Sequence, residues 1–309
     1  MRVRFWGVRG SLPVPGSKTE RYGGNTSCVE VRSAAGTRVV VDAGTGIRKL
    51  GKELTQSDSG GRADIHLLIS HTHWDHIQGL PFFSPLYHPG SKLSVYARKR
   101  DDVHLRAVFA SQTDVPYFAV PFDETKAAIT FRELHDQAEF AIADVKVSCA
   151  RLNHPYIATA YRLEADGASV VYVSDTAPFA DILFEDQFIA NPPSPGAQLS
   201  PVDMARLVAM RDRVVRLCEG ADLVIYDTMF TPEDYQRIPH YGHSRPSDAL
   251  AVCHEAGART LALFHHAPER SDSEVDAIVA DTRAVVQRAR MTIDVVGAYE
   301  GMDVALGRE

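Results

Sequence analysis

The sequence predicts an α/β protein, in which strands and helices alternate along one chain. Two observations carry this prediction: short runs of apolar residues end at turn-forming residues, and the second half repeats a pattern of strand followed by helix. The chain has 309 residues, and 33 Lys plus Arg against 40 Asp plus Glu give a net charge of −7. A chain of this length can bury a large core without disulfides. Its acidic balance disfavours broad binding to nucleic acid or to anionic membranes.

The first half of the chain contains several predicted strands. Residues 37–42 (TRVVVD) form a nearly continuous apolar run that stops at the turn-forming residues 43–46. A short amphipathic helix is predicted to follow at 47–54, and a loop at 56–61. The other elements predicted in this half are strands at 2–7, 27–32, 65–70 and 93–97 and a helix at 101–111.

A helix beginning after Ser200 has the clearest signals of any predicted element. Ser200 can cap its N-terminus, Pro201 suits its first position, and Asp203 lies where the helix dipole favours a carboxylate. Gly220 predicts its end. Its apolar stripe is formed by Leu207, Met210, Val214 and Leu217.

The sequence indicates one domain rather than two. Residues 191–200 (NPPSPGAQLS) are the most loop-like stretch and the one candidate boundary. We therefore predict a single domain over residues 1–309, with a helical insertion at 176–226 that serves as a lid or a dimer element. The other elements predicted here are strands at 145–152, 158–164, 169–174, 222–226, 260–264 and 291–298 and helices at 247–256 and 273–290.

The cysteines and the N-terminus indicate a reducing compartment. Because no two cysteines form a CxxC pair, a thiolate zinc site is disfavoured and four buried, reduced thiols are predicted. The first residues lack the apolar run of a signal peptide, and no stretch is apolar enough to span a membrane. We therefore expect a cytoplasmic protein without a membrane partner.

The segment from His71 to His76 (HTHWDH) is the strongest indication of chemistry. It places three imidazoles and a carboxylate within six residues, directly after a predicted buried strand. Without a cation, such closely spaced donors would repel one another or stay unsatisfied, so the segment predicts a metal site. Imidazole and carboxylate ligands without cysteine favour zinc, with manganese, iron or nickel as alternatives.

Three further donor residues follow later apolar strands in the same way: His154, Asp175 and His265. Each alone is as consistent with a hydrogen-bonded polar residue at a strand end as with a ligand. Together they form a coherent second half of a metal centre. His265 is preferred over the adjacent His266 because it directly follows the strand, and the choice between them is left open.

These motifs together resemble the metallo-β-lactamase fold superfamily of binuclear hydrolases. The segments Tyr226-Asp227-Thr228, Gly242-His243-Ser244 and FHHAP at 264–268 are similar to its phosphodiesterase branch. That branch includes ribonuclease Z, the cyclic-phosphate phosphodiesterase of the phosphonate pathway and bacterial cyclic-nucleotide phosphodiesterases. The resemblance spans nearly the whole chain and implies a four-layer αββα sandwich with a helical insertion.

The resemblance also implies a ligand set and a catalytic pair. Two divalent metal ions, with zinc favoured, would share a hydroxide that attacks the phosphodiester in line. Asp227 would orient His243, and His243 would protonate the leaving alkoxide. Asp75 is counted with this pair among the catalytic residues. One metal would be held by His71, His73 and His154, the other by Asp75, His76 and His265, and Asp175 would bridge the two.

The predicted substrate is a small anionic phosphodiester, such as a small or cyclic nucleotide. A ribonuclease Z-like tRNA 3′ endonuclease is one alternative, which the net negative charge and the Asp at 227, where that enzyme usually has Glu, disfavour. Hydrolysis of a lactone, a thioester or a β-lactam is another, which the Asp227–His243 pair disfavours. A flavodiiron oxidoreductase would be expected to carry a carboxylate at 73, and a non-catalytic sensor is disfavoured by the intact ligand set. The family further suggests a homodimer.

Several residues near these motifs have weaker assignments. Asp42 is predicted to support the metal loop by hydrogen bonding rather than to bind metal. Trp74 is predicted to pack in the interior rather than to stack on substrate. Phe82, Phe83 and Tyr87 are left open between lining a base-binding pocket and packing beneath the loop.

Overall fold

The computed structural model describes residues 1–56, 62–184 and 199–307. The chain forms two compact units, the first of Met1–His135 with Tyr299–Ala305 and the second of Asp136–Ala298 with the residues after Ala305. Each unit contains a seven-stranded mixed sheet with helices packed beside it, which confirms the predicted α/β class. The single domain with an insertion at 176–226 stays a prediction. Residues 185–198 of that insertion, and 57–61 of the predicted loop, lie outside the described residues.

The elements of the described residues have the following bounds. The strands are β1 Arg2–Gly7, β2 Cys28–Arg32, β3 Arg38–Val41, β4 Asp64–Ile69, β5 Lys92–Arg98, β6 Ala128–Leu134, β7 Glu139–Ile142, β8 Val145–Arg151, β9 Thr159–Ala165, β10 Ala168–Val173, β11 Leu223–Asp227, β12 Thr260–Phe264, β13 Asp294–Gly297 and β14 Asp303–Ala305. The helices are α1 Ile47–Gln56, α2 Trp74–Ile77, α3 Leu105–Ser111, α4 Pro201–Cys218, α5 Pro232–Arg237, α6 Pro246–Glu255 and α7 Asp272–Ala289.

The sheet of the first unit combines an antiparallel half with a parallel half. Its strands lie in the order β14-β1-β2-β3-β4-β5-β6. The pairings are antiparallel up to β2–β3 and parallel from β3–β4 onward. The apolar core of this unit includes Trp6, Ile47, Leu67 and Phe83. Because β3 and β4 are parallel, their carboxyl ends meet at one edge of the sheet.

The sheet of the second unit has the same sequence of pairings. Starting from β7, its strands lie in the order β7-β8-β9-β10-β11-β12-β13. The pairings are antiparallel up to β9–β10 and parallel from β10–β11 onward. Val173 pairs with Tyr226, and Asp227 pairs with Phe264. Since β8 runs in the same direction as β10, the carboxyl ends of β8, β10, β11 and β12 share one edge. Helix α4 packs on β8 and β9, and α6 packs on β11 and β12.

Helix α4 matches its prediction closely. Ser200 Oγ accepts a hydrogen bond from the Asp203 N–H at 3.1 Å, and Pro201 is the first helical residue. The predicted apolar stripe is buried. Gly220 has a φ of 59°, a left-handed conformation that glycine adopts without strain. Local sequence signals therefore determine both ends of this helix.

The sequence did not predict strands β6, β7 and β14 or helix α5. All three strands lie at an edge of a sheet, where one side of the strand is unpaired and fewer residues are buried. In β6 only Leu134 is buried, so the strand lacks the apolar run that marks a central strand. The four cysteines are buried and free, as predicted. Among the helices of the described ranges, none is long and apolar enough to cross a membrane.

Candidate metal and catalytic site

The HTHWDH segment of the first unit begins at the carboxyl end of β4 and runs into helix α2. His71 Nε2 lies 3.0 Å from His73 Nδ1, and His76 Nε2 lies 3.2 Å from Asp75 Oδ2. The rings of His71 and His76 are 4.2 Å apart. His71, Asp75 and His76 are buried, and His73 is half-buried. The structure therefore gathers all four donor groups of this segment into one cluster.

Asp42 supports this cluster from the end of β3, as predicted. Its carboxylate accepts hydrogen bonds from the Ser70 N–H at 2.7 Å, from the Ser70 hydroxyl at 2.8 Å and from His76 Nδ1 at 2.7 Å. Asp42 is fully buried and has a φ of 62°, a left-handed conformation that Asp tolerates better than most residues. Because His76 Nδ1 donates to Asp42, its Nε2 carries the lone pair that a metal ion requires.

Two contacts to Asp75 have no counterpart in the sequence analysis. The Ser11 N–H donates to Asp75 Oδ2 at 2.7 Å, and Ser11 has a φ of 61°. A Cβ at Gly44 would lie 2.4 Å from the Asp75 carbonyl oxygen. The N-terminal loop therefore holds this carboxylate, and the β3–α1 turn packs closely against the backbone of Asp75. No pattern in the sequence identifies Ser11, because its contribution is a backbone N–H.

The second unit gathers its own cluster at the carboxyl edge of its sheet. Ligand atoms of Asp175, Asp227, His243 and His265 lie within 4.8 Å of one another. His265 Nε2 lies 3.2 Å from Asp175 Oδ1, and His154 Nε2 lies 3.7 Å from Asp175 Oδ2. All five side chains are buried. His265 has a φ of 60°, and such backbone strain is concentrated at functional sites.

Asp227 connects three separate segments of this cluster. Its carboxylate accepts hydrogen bonds from the backbone N–H groups of Met229 at 3.0 Å, Thr176 at 3.2 Å and Ser244 at 3.3 Å. His243 Nδ1 donates to it at 3.0 Å. Because Nδ1 donates to Asp227, the opposite ring nitrogen, Nε2, is the one that does not face this carboxylate. Burial raises the pKa of the preceding residue, Tyr226, well above its ordinary value, so that its hydroxyl stays neutral.

The loop that carries His243 is braced at several points. The Gly242 carbonyl accepts a hydrogen bond from His154 Nδ1 at 2.9 Å, and a Cβ at Gly242 would lie 2.6 Å from that nitrogen. Gly242 has a φ of 82°, so glycine is required both by conformation and by space. Ser244 Oγ donates to the Thr176 carbonyl at 2.6 Å. The His243 ring packs edge-on against Phe230 at 5.2 Å.

The two adjacent histidines after β12 have different surroundings. His265 lies in the cluster with Asp175 and Asp227, whereas His266 Nε2 donates to the Ala298 carbonyl at 2.9 Å. The structure therefore groups His265, rather than His266, with the other candidate ligands.

Trp74 corrects one prediction, and Phe83 settles one of the alternatives that were left open. Trp74 is 71% exposed, so the predicted packing role in the interior is wrong. Its neighbours Asp75, His76 and Ile77 turn inward, and this leaves the first residue of α2 on the surface. Phe82 is 58% exposed, whereas Phe83 is buried in the apolar core. Tyr87 is half-buried and donates to the Pro81 carbonyl.

The donor chemistry of both clusters fits divalent metal ions. Buried carboxylates and imidazoles gather in each cluster without any thiolate, which matches the nitrogen and oxygen ligands of zinc and related metals. A cation would also neutralise the buried carboxylates of Asp75 and Asp175, which are costly to bury without a counter-charge.

Comparisons with known proteins agree with these observations. Residues 37–188 match the family described as Beta-lactamase superfamily domain. A ribonuclease Z of Haloarcula marismortui is 24% identical over 332 aligned residues, which cover 98% of this chain and 96% of the relative. The crystal structure of human tRNase Z, short form, aligns with a TM-score of 0.62 at 18% identity and covers 99% of each chain. A diphosphatase from the PhnP family aligns with a TM-score of 0.62 at 16% identity, covering 99% of this chain and 97% of that one.

Proposed function

We propose that this chain, a member of the metallo-β-lactamase superfamily, is a metal-dependent hydrolase of phosphodiester bonds. The observation that carries the proposal is the buried Asp227–His243 pair, with His243 Nδ1 at 3.0 Å from Asp227 Oδ2. Expulsion of an alkoxide from a phosphodiester requires a proton donor at the leaving oxygen. A histidine oriented by a buried carboxylate, among further candidate metal ligands, suits that requirement.

The metal part of the proposal follows the resemblance and the donor chemistry. When bound, two divalent ions would supply a water activated near neutral pH and would neutralise charge on the phosphoryl oxygens. We favour zinc as the metal. The proposed ligands are His71, His73, Asp75, His76, His154, Asp175 and His265.

The residues of the chain have distinct roles in the proposed reaction. His243 donates a proton from Nε2 to the leaving oxygen, and Asp227 holds the ring in the tautomer and orientation that this transfer needs. The backbone N–H groups of Met229, Thr176 and Ser244 fix the Asp227 carboxylate and keep it from rotating. Asp42 does the same for His76, whose Nε2 is directed towards the donor cluster.

We propose that the substrate is a small or cyclic nucleotide. We further propose that the protein acts in the cytoplasm and forms a homodimer. The net charge of −7 supports a small anionic substrate over a long polyanion. The relatives favour a second candidate, ribonuclease Z-like cleavage of precursor tRNA, because the sequence similarity extends over 98% of this chain. In both candidate reactions a phosphodiester bond is hydrolysed, and in both the Asp227–His243 pair would supply the proton.

A substrate panel with metal analysis tests the proposal. The purified protein is analysed for bound metal and is offered bis-p-nitrophenyl phosphate, cyclic mononucleotides, cyclic dinucleotides, precursor tRNA and a β-lactam. Phosphodiester turnover that a chelator abolishes and added zinc restores is the expected result. Turnover of the lactam without any phosphodiester turnover contradicts the proposal, and cleavage of precursor tRNA alone selects the second candidate.

Matched variants locate the chemistry within the chain. His243→Ala is compared with His240→Ala, which removes a half-buried histidine three residues earlier. Asp75→Ala is compared with Asp64→Ala, which removes an exposed carboxylate at the start of β4. Loss of activity in both members of a pair contradicts the assigned roles.

A further inference from the structure

Asn153 is a fully buried polar residue of the second unit that has no role in the proposed reaction. It lies just after the end of β8 and directly before the candidate ligand His154. A buried amide is costly unless its polar groups have partners, so the partners of Asn153 identify what it holds. Five hydrogen bonds join it to segment 176–184, which begins directly after the candidate ligand Asp175.

The side chain of Asn153 binds this segment with both ends of its amide. Nδ2 donates to the carbonyls of Ile182 at 2.7 Å and of Pro178 at 3.3 Å. Oδ1 accepts a hydrogen bond from the Phe184 N–H at 2.9 Å. An asparagine amide offers two N–H donors and one acceptor oxygen, so it matches these three backbone groups, whereas an ionised aspartate has no donor for the two carbonyls.

The backbone of Asn153 binds the two residues that follow Asp175. Its N–H donates to Thr176 Oγ1 at 3.2 Å, and its carbonyl accepts a hydrogen bond from the Ala177 N–H at 2.7 Å. Strand β9 lies between β8 and β10 in the sheet, so no ladder hydrogen bond joins the ends of those two strands. The contacts of Asn153 therefore connect the two strand ends that carry the candidate ligands His154 and Asp175.

Segment 176–184 is also held from the other side. The Tyr235 hydroxyl of α5 donates to Asp181 Oδ2 at 3.0 Å. The apolar side chains of the segment form a small buried cluster of their own, which consists of Ala177, Ile182 and Phe184. Because the segment is fixed at both sides and packed within, its hydrogen bonds to Asn153 restrict the movement of the two strand ends.

We propose that Asn153 is a positioning residue that holds His154 and Asp175 in place for a shared divalent metal ion. The inference rests on the proposed function, because both residues are proposed ligands of the same ion. His154 Nε2 lies 3.7 Å from Asp175 Oδ2, and both side chains are buried. When donors are held in advance, binding of the ion does not have to order them, and the affinity is higher.

The zinc affinity of two Asn153 variants tests the inference without any measurement of turnover. Competition with a chromophoric chelator is expected to show that Asn153→Leu and Asn153→Asp each bind zinc about 10-fold more weakly than the wild type. Asn153→Asp separates positioning from charge. A new carboxylate beside His154 would by charge alone attract a cation more strongly, so weaker binding in this variant reports the lost amide donors.

Arg162→Met is the matched control for a purely structural loss. The Arg162 guanidinium on β9 donates to the carbonyls of Leu217 and Glu219 at the end of α4, each at 2.9 Å. Its loss also removes hydrogen bonds to backbone carbonyls, but these do not involve a candidate ligand segment. The control is expected to lower the thermal midpoint of unfolding of the metal-free protein and to leave the zinc affinity unchanged.

Thr176 gives a milder pair of variants if the Asn153 variants do not fold. Thr176→Val removes the oxygen that accepts the Asn153 N–H, whereas Thr176→Ser keeps it. Both variants retain the Thr176 N–H that donates to Asp227. Thr176→Val is expected to bind zinc severalfold more weakly than the wild type, and Thr176→Ser is expected to bind it as tightly. Equal zinc affinities for the two variants overturn the inference.

The outcomes separate this inference from the proposed function. If the wild type binds zinc and the Asn153 variants bind it as tightly or more tightly, the inference is overturned and the proposed function stands. A loss of zinc affinity in Arg162→Met equal to that in Asn153→Leu also overturns it. If the wild type binds zinc but hydrolyses no phosphodiester, the proposed function fails and the affinities still decide the inference. A wild type that binds no divalent metal overturns both.

Discussion

The two units gather candidate ligands by different means. The first unit takes all four of its candidate ligands from six consecutive residues after β4. The second unit takes five groups, three candidate ligands and the Asp227–His243 pair, from four strand ends and one loop that are distant in sequence. Each cluster contains a fully buried aspartate that accepts a hydrogen bond from a histidine Nδ1: Asp42 from His76 and Asp227 from His243. The Asp42 carboxylate also accepts hydrogen bonds from the N–H and the hydroxyl of one residue, Ser70, whereas the Asp227 carboxylate accepts hydrogen bonds from the backbone N–H groups of three residues. The cluster built from consecutive residues is supported by an aspartate that bonds to its own segment. The cluster built from distant segments is supported by an aspartate that joins those segments by hydrogen bonds.

The largest expected effect is the loss of His243 in the assembled cluster. His243→Ala should lower kcat by about 10³-fold for a diester with an alkoxide leaving group, the size of a lost general acid. The loss should be much smaller for a p-nitrophenolate leaving group, which needs no proton. Steady-state rates for the two ester classes check this, with His240→Ala as the control. Equal losses for both leaving groups would mean that His243 acts by another route.

A comparison of Asp227→Asn with Asp42→Asn is the most direct test of the difference between the clusters. Asparagine keeps the size of Asp227 but places an amide among N–H donors, so one buried group loses its partner. We expect a loss of about 1–3 kcal/mol in the free energy of unfolding for Asp227→Asn. Denaturant titration at neutral pH measures it. If Asp42→Asn lowers the free energy of unfolding as much as Asp227→Asn does, the joining of separate segments by Asp227 is not what distinguishes the two aspartates.

Asp42→Asn should act on metal affinity more than on stability. Asparagine also tolerates a positive φ, so the substitution keeps the backbone at 62° and weakens the hydrogen bond to His76. Loss of such a supporting carboxylate typically lowers metal affinity by about 10–100-fold. Competition with a chromophoric chelator measures the change, and kcat at saturating metal should stay near the wild-type value. Unchanged metal affinity would show that His76 needs no such support.

The smallest expected effect concerns Cys149 on β8, in the scaffold of the second cluster. Burial raises the pKa of this thiol from 9.0 to about 11. A raised pKa gives stability that is present below pH 9 and is lost as the pH rises towards 11, because the unfolded thiol ionises first. Between pH 8 and pH 10 the wild type should therefore lose about 1 kcal/mol more than Cys149→Ala. Thermal unfolding at several pH values checks this, and parallel slopes would contradict it.

The sequence allowed the local features of both clusters to be predicted but not their assembly. The HTHWDH segment and the cap of α4 are readable because their signals lie within a few residues. His154, Asp175 and His265 could be placed at strand ends because apolar runs stop before them. That these ends share one edge depends on the strand order, which no local pattern encodes. Ser11 was not predicted because it acts through its backbone, and Trp74 was mispredicted because exposure of an aromatic depends on what the neighbouring turns bury.

Gly242 sets a practical limit on how the protein could be redesigned. Its carbonyl is bonded to His154, its successor is His243, and the space for a side chain is already taken by the His154 ring. A candidate ligand and the proposed acid are therefore coupled through one peptide unit, and any bulk added there would displace both at once. A library aimed at new substrates should keep residues 242–244 constant and vary surface positions such as 74 and 82, where a new side chain meets solvent first.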